Sequence, residues 1–176
     1  MLAGSLGLLV IAKPTPGAFY AGLPLVALGE LIRIWSSGYL TKLSGLVTAG
    51  PFALCRNPLY VGSFLISLGY LVMCHNIVVF IVGIAVFWLL HAGAVAYEEG
   101  LLRERFEEDY LQYCREVPRY FPHPRKMTGR GSFSFQRAIG NDEFRGAALM
   151  ALFVACFGLM AFSSFSVLNW LTSLTD

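Results

Sequence analysis

Apolar residues in this 176-residue chain gather into blocks, several of membrane-crossing length, joined by short polar links. The blocks run over about 2–12, 19–35, 58–74, 77–97 and 146–171. A hydrocarbon layer about 30 Å thick takes about 20 apolar residues of helix, and inside it each backbone polar group must find its partner within the protein. These blocks predict an all-α integral membrane helical bundle of four to five transmembrane helices, a single membrane domain over 1–176. The first block is shorter than a full crossing and is stopped by Pro14 and Pro16, so a tilted or partial span is expected there. It has no basic start and no clear processing site, which argues against a signal peptide. Only 14% of the residues are charged, against about a quarter in soluble domains.

The charges are concentrated. Glu98–Arg145 holds nine Lys/Arg and nine Asp/Glu and must lie outside the hydrocarbon. Blocks 58–74 and 77–97 are separated by little more than His75 and Asn76, a tight hairpin that returns the chain to its starting side. The Lys42–Arg56 loop and the segment 98–145 then share one face, which carries eleven of the thirteen basic residues. By the positive-inside rule that face is expected to be cytoplasmic, in a bacterial or archaeal inner membrane or the ER. Leu102, Phe106, Tyr110 and Tyr113 recur at helical spacing, so the charged segment is expected to begin as a cytoplasmic amphipathic helix. Gly129–Ser134 reads as a mobile connector.

Several function classes drop out. A net charge of +2 with no basic stripe gives no footprint for nucleic acid. Cys55, Cys74, Cys114 and Cys156 form no C-x-x-C pair, and no H-x-x-x-H or carboxylate and histidine cluster is present, so no metal site is expected. Neither glycine-rich phosphate-binding signature of soluble nucleotide folds occurs.

Two stretches have the residues for chemistry. In Gly50-Pro51-Phe52-Ala53-Leu54-Cys55-Arg56-Asn57-Pro58-Leu59-Tyr60-Val61-Gly62, a helix starting at Pro58 has Asn57 as its N-cap and free backbone donors that suit an anion such as a carboxylate. Arg56 adds a permanent charge, and Gly62 lets a ligand or a second helix come close. A capped helix with a snorkelling arginine explains the same residues. In Tyr97-Glu98-Glu99, the paired carboxylates suit an ammonium group, and a solvated amphipathic helix is the plainer reading. His91 lies about two turns before the glutamates on a similar face, as a candidate base or as a buried neutral histidine. Glu30 and Arg33, three residues apart, either pair with each other or face the bundle interior.

The ordered set Glu30, Arg33 and Trp35, then Leu46-Val47-Thr48-Ala49-Gly50-Pro51-Phe52, then Arg56-Asn57-Pro58-Leu59-Tyr60-Val61-Gly62, then Glu98-Glu99 through Tyr110, Tyr113, Val117-Pro118 and Pro122 resembles the isoprenylcysteine carboxyl methyltransferase and phospholipid methyltransferase superfamily. The resemblance covers about half the chain. It implies S-adenosylmethionine as cofactor, in a pocket open to the cytoplasm, with a lipid substrate entering from the bilayer. It places cofactor contacts on Leu46, Val47, Gly50, Phe52, Asn57, Pro58, Leu59, Tyr60 and Glu98. A sulfonium cofactor suits these groups: its ammonium Glu98 or Glu99, its carboxylate the helix start or Arg56, its cationic methyl an aromatic face at Phe52 or Tyr60. His91, Glu99 and Arg56 are the candidates for catalysis, with His91 or one glutamate as base for an amine or thiol acceptor. Three positions depart from the superfamily pattern: Asn57 replaces a histidine, Phe52 a tyrosine, and Ala94 the arginine that isoprenylcysteine enzymes direct at their substrate.

The expected function is methyl transfer from S-adenosylmethionine to a lipophilic acceptor, namely an isoprenylcysteine carboxylate, a phospholipid amine or another lipophile. The expected partners are that substrate and membrane lipids. The rival readings are a membrane reductase of sterol-reductase type using NADPH and a non-catalytic membrane scaffold. The oligomeric state is left open.

Overall fold

The computed structural model describes residues 9, 11–40, 45–123, 129–141 and 143–163, and among them there is helix and no strand. Six helices follow in order: α1 Pro16–Ser37, α2 Pro51–Leu54, α3 Pro58–Met73, α4 Ile77–Glu116, α5 Phe135–Gly140 and α6 Glu143–Phe162. Three of them, α1, α4 and α6, are long and apolar enough to cross a membrane, and α3 is a shorter apolar helix of 16 residues. Most of the first apolar block, and block 146–171 beyond residue 163, lie outside the described residues.

Helix α1 starts three residues before the apolar block read from 19: the Thr15 hydroxyl accepts the Ala18 amide at 3.2 Å and Pro16, read as the stop of the preceding block, takes the first turn, where a missing N–H costs nothing. It packs along α3 through glycines. A Cβ built on Gly29 would lie 2.6 Å from the Gly62 carbonyl oxygen, and one on Gly22 2.4 Å from that of Gly69. The two backbones touch, as small residues allow between membrane helices. Gly62 therefore serves the close approach of a helix. The core lies between α1, α3 and α6, around Val26, Ile66, Tyr70, Met73, Phe157 and Met160. Tyr70 stacks on Phe157 at 5.7 Å and donates its hydroxyl to the Met150 carbonyl.

A polar tie crosses the same three helices. Arg33 reaches Glu143 at 2.6 Å and Ser63 at 2.6 Å. Of the two arrangements open to Glu30 and Arg33, the interior one is found. Both Glu30 carboxylate oxygens are buried and have no hydrogen-bond partner among the described residues.

Helix α4 continues beyond the apolar block and breaks at Glu107, where φ is 41° and ψ −115°. Such a backbone is strained for an L-residue and persists only when its surroundings enforce it. What enforces it is packing beyond the break. Tyr110 and Tyr113 are buried with Leu46 and Val117, and the Tyr113 hydroxyl donates to the Phe52 carbonyl at 2.6 Å. Gly129–Ser134, expected as a mobile connector, is held instead. Thr48 N donates to Arg130 O at 3.0 Å, Arg130 N to Thr48 Oγ1 at 2.9 Å, and Ser134 N to Gly38 O at 2.9 Å. Gly129 permits this, since a Cβ there would lie 2.5 Å from the Thr48 carbonyl oxygen.

Candidate active site

The motif between Gly50 and Tyr60 forms one wall of the site. Gly50 has φ 61° and ψ −129°, and a Cβ on it would meet the Tyr39 ring at 2.5 Å. Glycine is needed on both counts. The turn of α2 buries Phe52 and ends at Cys55, whose backbone is extended. This stretch is bridged to the chain beyond α4: Arg56 N donates to Pro118 O at 2.9 Å, Asn57 N to Arg119 O at 3.2 Å, and His123 N to Leu54 O at 3.0 Å. Burial pushes the Cys55 thiol up to about 11, against a partial lowering by the Asn57 backbone hydrogen bond. At neutral pH it is an uncharged apolar filler.

Asn57 stands at the N-cap position of α3, but its side chain does not cap the helix. Its amide donates to Glu99 Oε1 at 2.8 Å and to the Arg119 carbonyl at 3.3 Å. These bonds use the NH2 end of the side chain and fix its orientation, and in that orientation the amide oxygen does not accept from the first amides of α3. Glu99 Oε2 is 2.9 Å from Arg119, and its Oε1 is 3.5 Å from Arg56 Nε. Arg56 also donates to the Cys114 carbonyl at 3.1 Å. Its Nε is buried without a hydrogen-bond partner. Two arginines thus face one carboxylate, with Arg56 and Glu99 only 14% and 16% exposed.

Glu98, one step round the helix, faces elsewhere. It is exposed and accepts from the Tyr60 hydroxyl at 2.9 Å. The Tyr60 ring meets His91 edge-on at 5.8 Å, and His91 stacks on Phe87 at 3.9 Å. His91 Nδ1 lies 2.8 Å from the Phe87 carbonyl, a hydrogen bond that puts the proton on Nδ1. Trp88 and Tyr120 continue the aromatic cluster at 5.7 Å.

A cavity of about 150 Å³ is walled by Leu46, Val47, Phe52, Arg56, Leu102, Arg105 and Phe106 among others, so Arg56 is the member of the charged cluster that lines it. A second, of about 390 Å³, shares Leu46, Val47 and Phe106 with it and extends to Tyr39, Arg130 and Arg137. The sequence-derived site residues therefore fall into three groups. Leu46, Val47, Phe52 and Arg56 wall the first cavity, with Gly50 shaping the turn and Pro58 and Leu59 opening α3. Asn57, Glu99 and Arg56 form the charged cluster. Tyr60, Glu98 and His91 form the aromatic one.

Sequence reasoning gave Arg119 no role, although it closes the charged cluster. Its signal was the Val117-Pro118-Arg119 stretch, where a proline favours an extended backbone free to pair with another. It also missed Tyr39, which carries Gly50, and Arg130 and Arg137, which lie beyond the motifs. Among the described residues no group of three or more His, Cys, Asp or Glu is arranged to hold a metal ion.

Residues 18–109 match the family model of phospholipid methyltransferases, and the chain belongs to that family. A cobalt-zinc-cadmium resistance protein of Cupriavidus metallidurans is 33% identical over 128 residues, covering 69% of this chain and 59% of that protein. A nickel-cobalt-cadmium resistance protein of Alcaligenes xylosoxydans xylosoxydans is 29% identical over 128 residues, covering 69% and 60%. Protein-S-isoprenylcysteine O-methyltransferase B of Arabidopsis thaliana is 33% identical over 113 residues, 57% of each chain. The chain spans less than two thirds of the length of these curated relatives.

Proposed function

We propose that this protein is an integral membrane methyltransferase that transfers a methyl group from S-adenosylmethionine to a lipophilic acceptor, with its site on the cytoplasmic face. The observation that carries the reading is the convergence of Arg56, Asn57 and Glu99 beside an apolar cavity, since those residues come from two distant motifs and are brought to one place. The residues fit the cofactor. Its amino-acid end needs a carboxylate and a cation side by side, and Glu99 beside the buried, unsatisfied Nε of Arg56 supplies both. A cavity of about 150 Å³ is small for a nucleoside. Its shared walls with the 390 Å³ cavity give the room.

When bound, S-adenosylmethionine supplies a methyl carbon activated by a cationic sulfur. The chain's own work is alignment and exclusion of water. Glu99 takes the ammonium, Arg56 the carboxylate, and Asn57 fixes the Glu99 rotamer. The Leu46–Phe52 turn, with Pro58 and Leu59 below it, forms the apolar wall. Glu98, exposed and hydrogen-bonded to Tyr60, serves the acceptor side: it or His91 removes a proton from an amine or thiol acceptor. A carboxylate acceptor needs no base, and Ala94 leaves it without the arginine that the isoprenylcysteine enzymes use.

Titration of the detergent-purified protein with S-adenosylhomocysteine and, separately, NADPH tests the class. Saturable binding of S-adenosylhomocysteine supports the methyltransferase. Binding of NADPH alone points to a reductase, and binding of neither to a scaffold. The two bacterial relatives, both metal-resistance proteins by name, favour a physiological setting in metal resistance, tested by growth of a deletion strain on cobalt, zinc or cadmium.

A further inference from the structure

Helix α5 has two unlike sides. The inner one is tied to the bundle. Ala138 is fully buried, Arg137 donates to the Tyr39 carbonyl at 3.4 Å, and the Asn141 amide just past the helix donates to the Ser37 and Leu40 carbonyls at 3.0 and 3.4 Å. The outer one is apolar and uncovered. Phe135 and Ile139, one helical turn apart, are 56% and 54% exposed. Phe135 meets the Phe144 ring edge-on at 5.2 Å, and Phe144 is itself exposed on the first turn of α6. Three large apolar side chains gathered on a water-facing surface are a liability.

Their position says what covers them. Helix α6 is long and apolar enough to cross a membrane. Its exposed Phe144, Leu152 and Leu159 fall within an arc of about 80° of the helix, a stripe that faces lipid along the span. The α5 patch joins this stripe at its Phe144 end. That end lies on the side where α1 finishes and α3 begins, since Arg33 of α1 bonds both Glu143 of α6 and Ser63 of α3. Arg145, exposed next to Phe144, sets the level: a cation is costly deep in hydrocarbon and at home among the headgroups. An apolar helix face at that level fits the boundary between headgroups and acyl chains.

We propose that α5 is a membrane-interfacial helix, with Phe135, Ile139 and Phe144 seated in the bilayer leaflet on the side of the candidate site. The occupant is the lipid surface itself, not a single bound lipid. The same helix carries Arg137 to the wall of the larger cavity, so the membrane surface backs that wall. The inference does not depend on the methyltransferase reading, since α5 lies outside the family-matched residues 18–109.

Photocrosslinking of the full chain in nanodiscs of phosphatidylcholine and phosphatidylglycerol tests this. p-Benzoylphenylalanine is placed singly at Phe135 and at Ile139, and for comparison at Leu152 on the lipid-facing stripe and at Glu108, which is 75% exposed in the charged part of α4. The expected result is a mass increase of one phospholipid at Phe135, Ile139 and Leu152 and none at Glu108. Crosslinks from Phe135 and Ile139 to protein alone, whether a second copy or the same chain, overturn the proposal. So does the absence of lipid adducts at both while Leu152 is labelled, or labelling of Glu108 to the same extent. Both positions are exposed and should tolerate the change. If neither variant folds, quenching of Ile139→Trp by brominated lipid decides on the same terms: quenched supports the seat, unquenched overturns it.

Discussion

The Asn57 amide donates to the Glu99 carboxylate at 2.8 Å across 42 residues of sequence. This bond joins the start of α3 to the point where α4 leaves its apolar block. It also explains why an asparagine at an N-cap position does not cap. Asn57→Asp sets a second carboxylate against Glu99, and Arg56 and Arg119 offset only part of the repulsion. Thermal unfolding should show a loss of about 1–3 kcal/mol, and binding of S-adenosylhomocysteine should fall with it. Asn57→His, which keeps a donor, should retain more of both.

The turn at Gly50 is constrained by its backbone and by Tyr39. Gly50→Ala must adopt a left-handed φ and displace an aromatic ring, at a cost of about 1–3 kcal/mol. Tyr39→Ala removes the clash but not the strain. The double variant should therefore be more stable than the additive expectation, as a mutant cycle of melting curves would show.

Arg33 and Glu143 are bonded at 2.6 Å with side chains 22% and 6% exposed. Removing one partner leaves a buried charge, so Glu143→Leu alone should destabilise the bundle by about 3–5 kcal/mol. Arg33→Met with Glu143→Leu should recover most of that loss. Denaturation of the purified protein in mixed micelles measures both.

Cys55 gives a pH dependence. Burial raises its thiol from about 9 to about 11, so the folded state holds a proton that the unfolded chain releases sooner. The associated stability is complete below about 9 and is lost as the pH rises towards about 11. Cys55→Ala should flatten the melting temperature across that window. Alkylation of the parent at Cys55 should be slow at pH 8 until the protein unfolds.

The helical class and the apolar helices were legible because hydropathy is local and lipid imposes the helix. The start of α1 was not read: Pro16 was taken only as the stop of the first block, whereas it opens the next helix under the Thr15 cap. What else escaped sequence reading was tertiary. Whether Arg33 meets Glu30 or Glu143 depends on a helix over a hundred residues away. Glu98 and Glu99 are adjacent in sequence but diverge by one helical step of about 100°, and only the packed structure sends one to Asn57 and the other to Tyr60. The break at Glu107 has no glycine or proline to announce it. The Gly129–Ser134 arm looked free because its anchors, Gly38 and Thr48, hold it through backbone bonds and the Thr48 hydroxyl, which composition does not encode.

In the proposed function Glu99, not its neighbour, holds the amino-acid end of the cofactor. Calorimetric titration of Glu99→Gln and Glu98→Gln with S-adenosylhomocysteine, against 5′-methylthioadenosine, which lacks that end, tests it directly. Glu99→Gln should weaken S-adenosylhomocysteine by about tenfold or more while 5′-methylthioadenosine is little changed, and Glu98→Gln should affect neither strongly. Equal affinities for S-adenosylhomocysteine in the parent and Glu99→Gln, or a loss confined to Glu98→Gln, would contradict it.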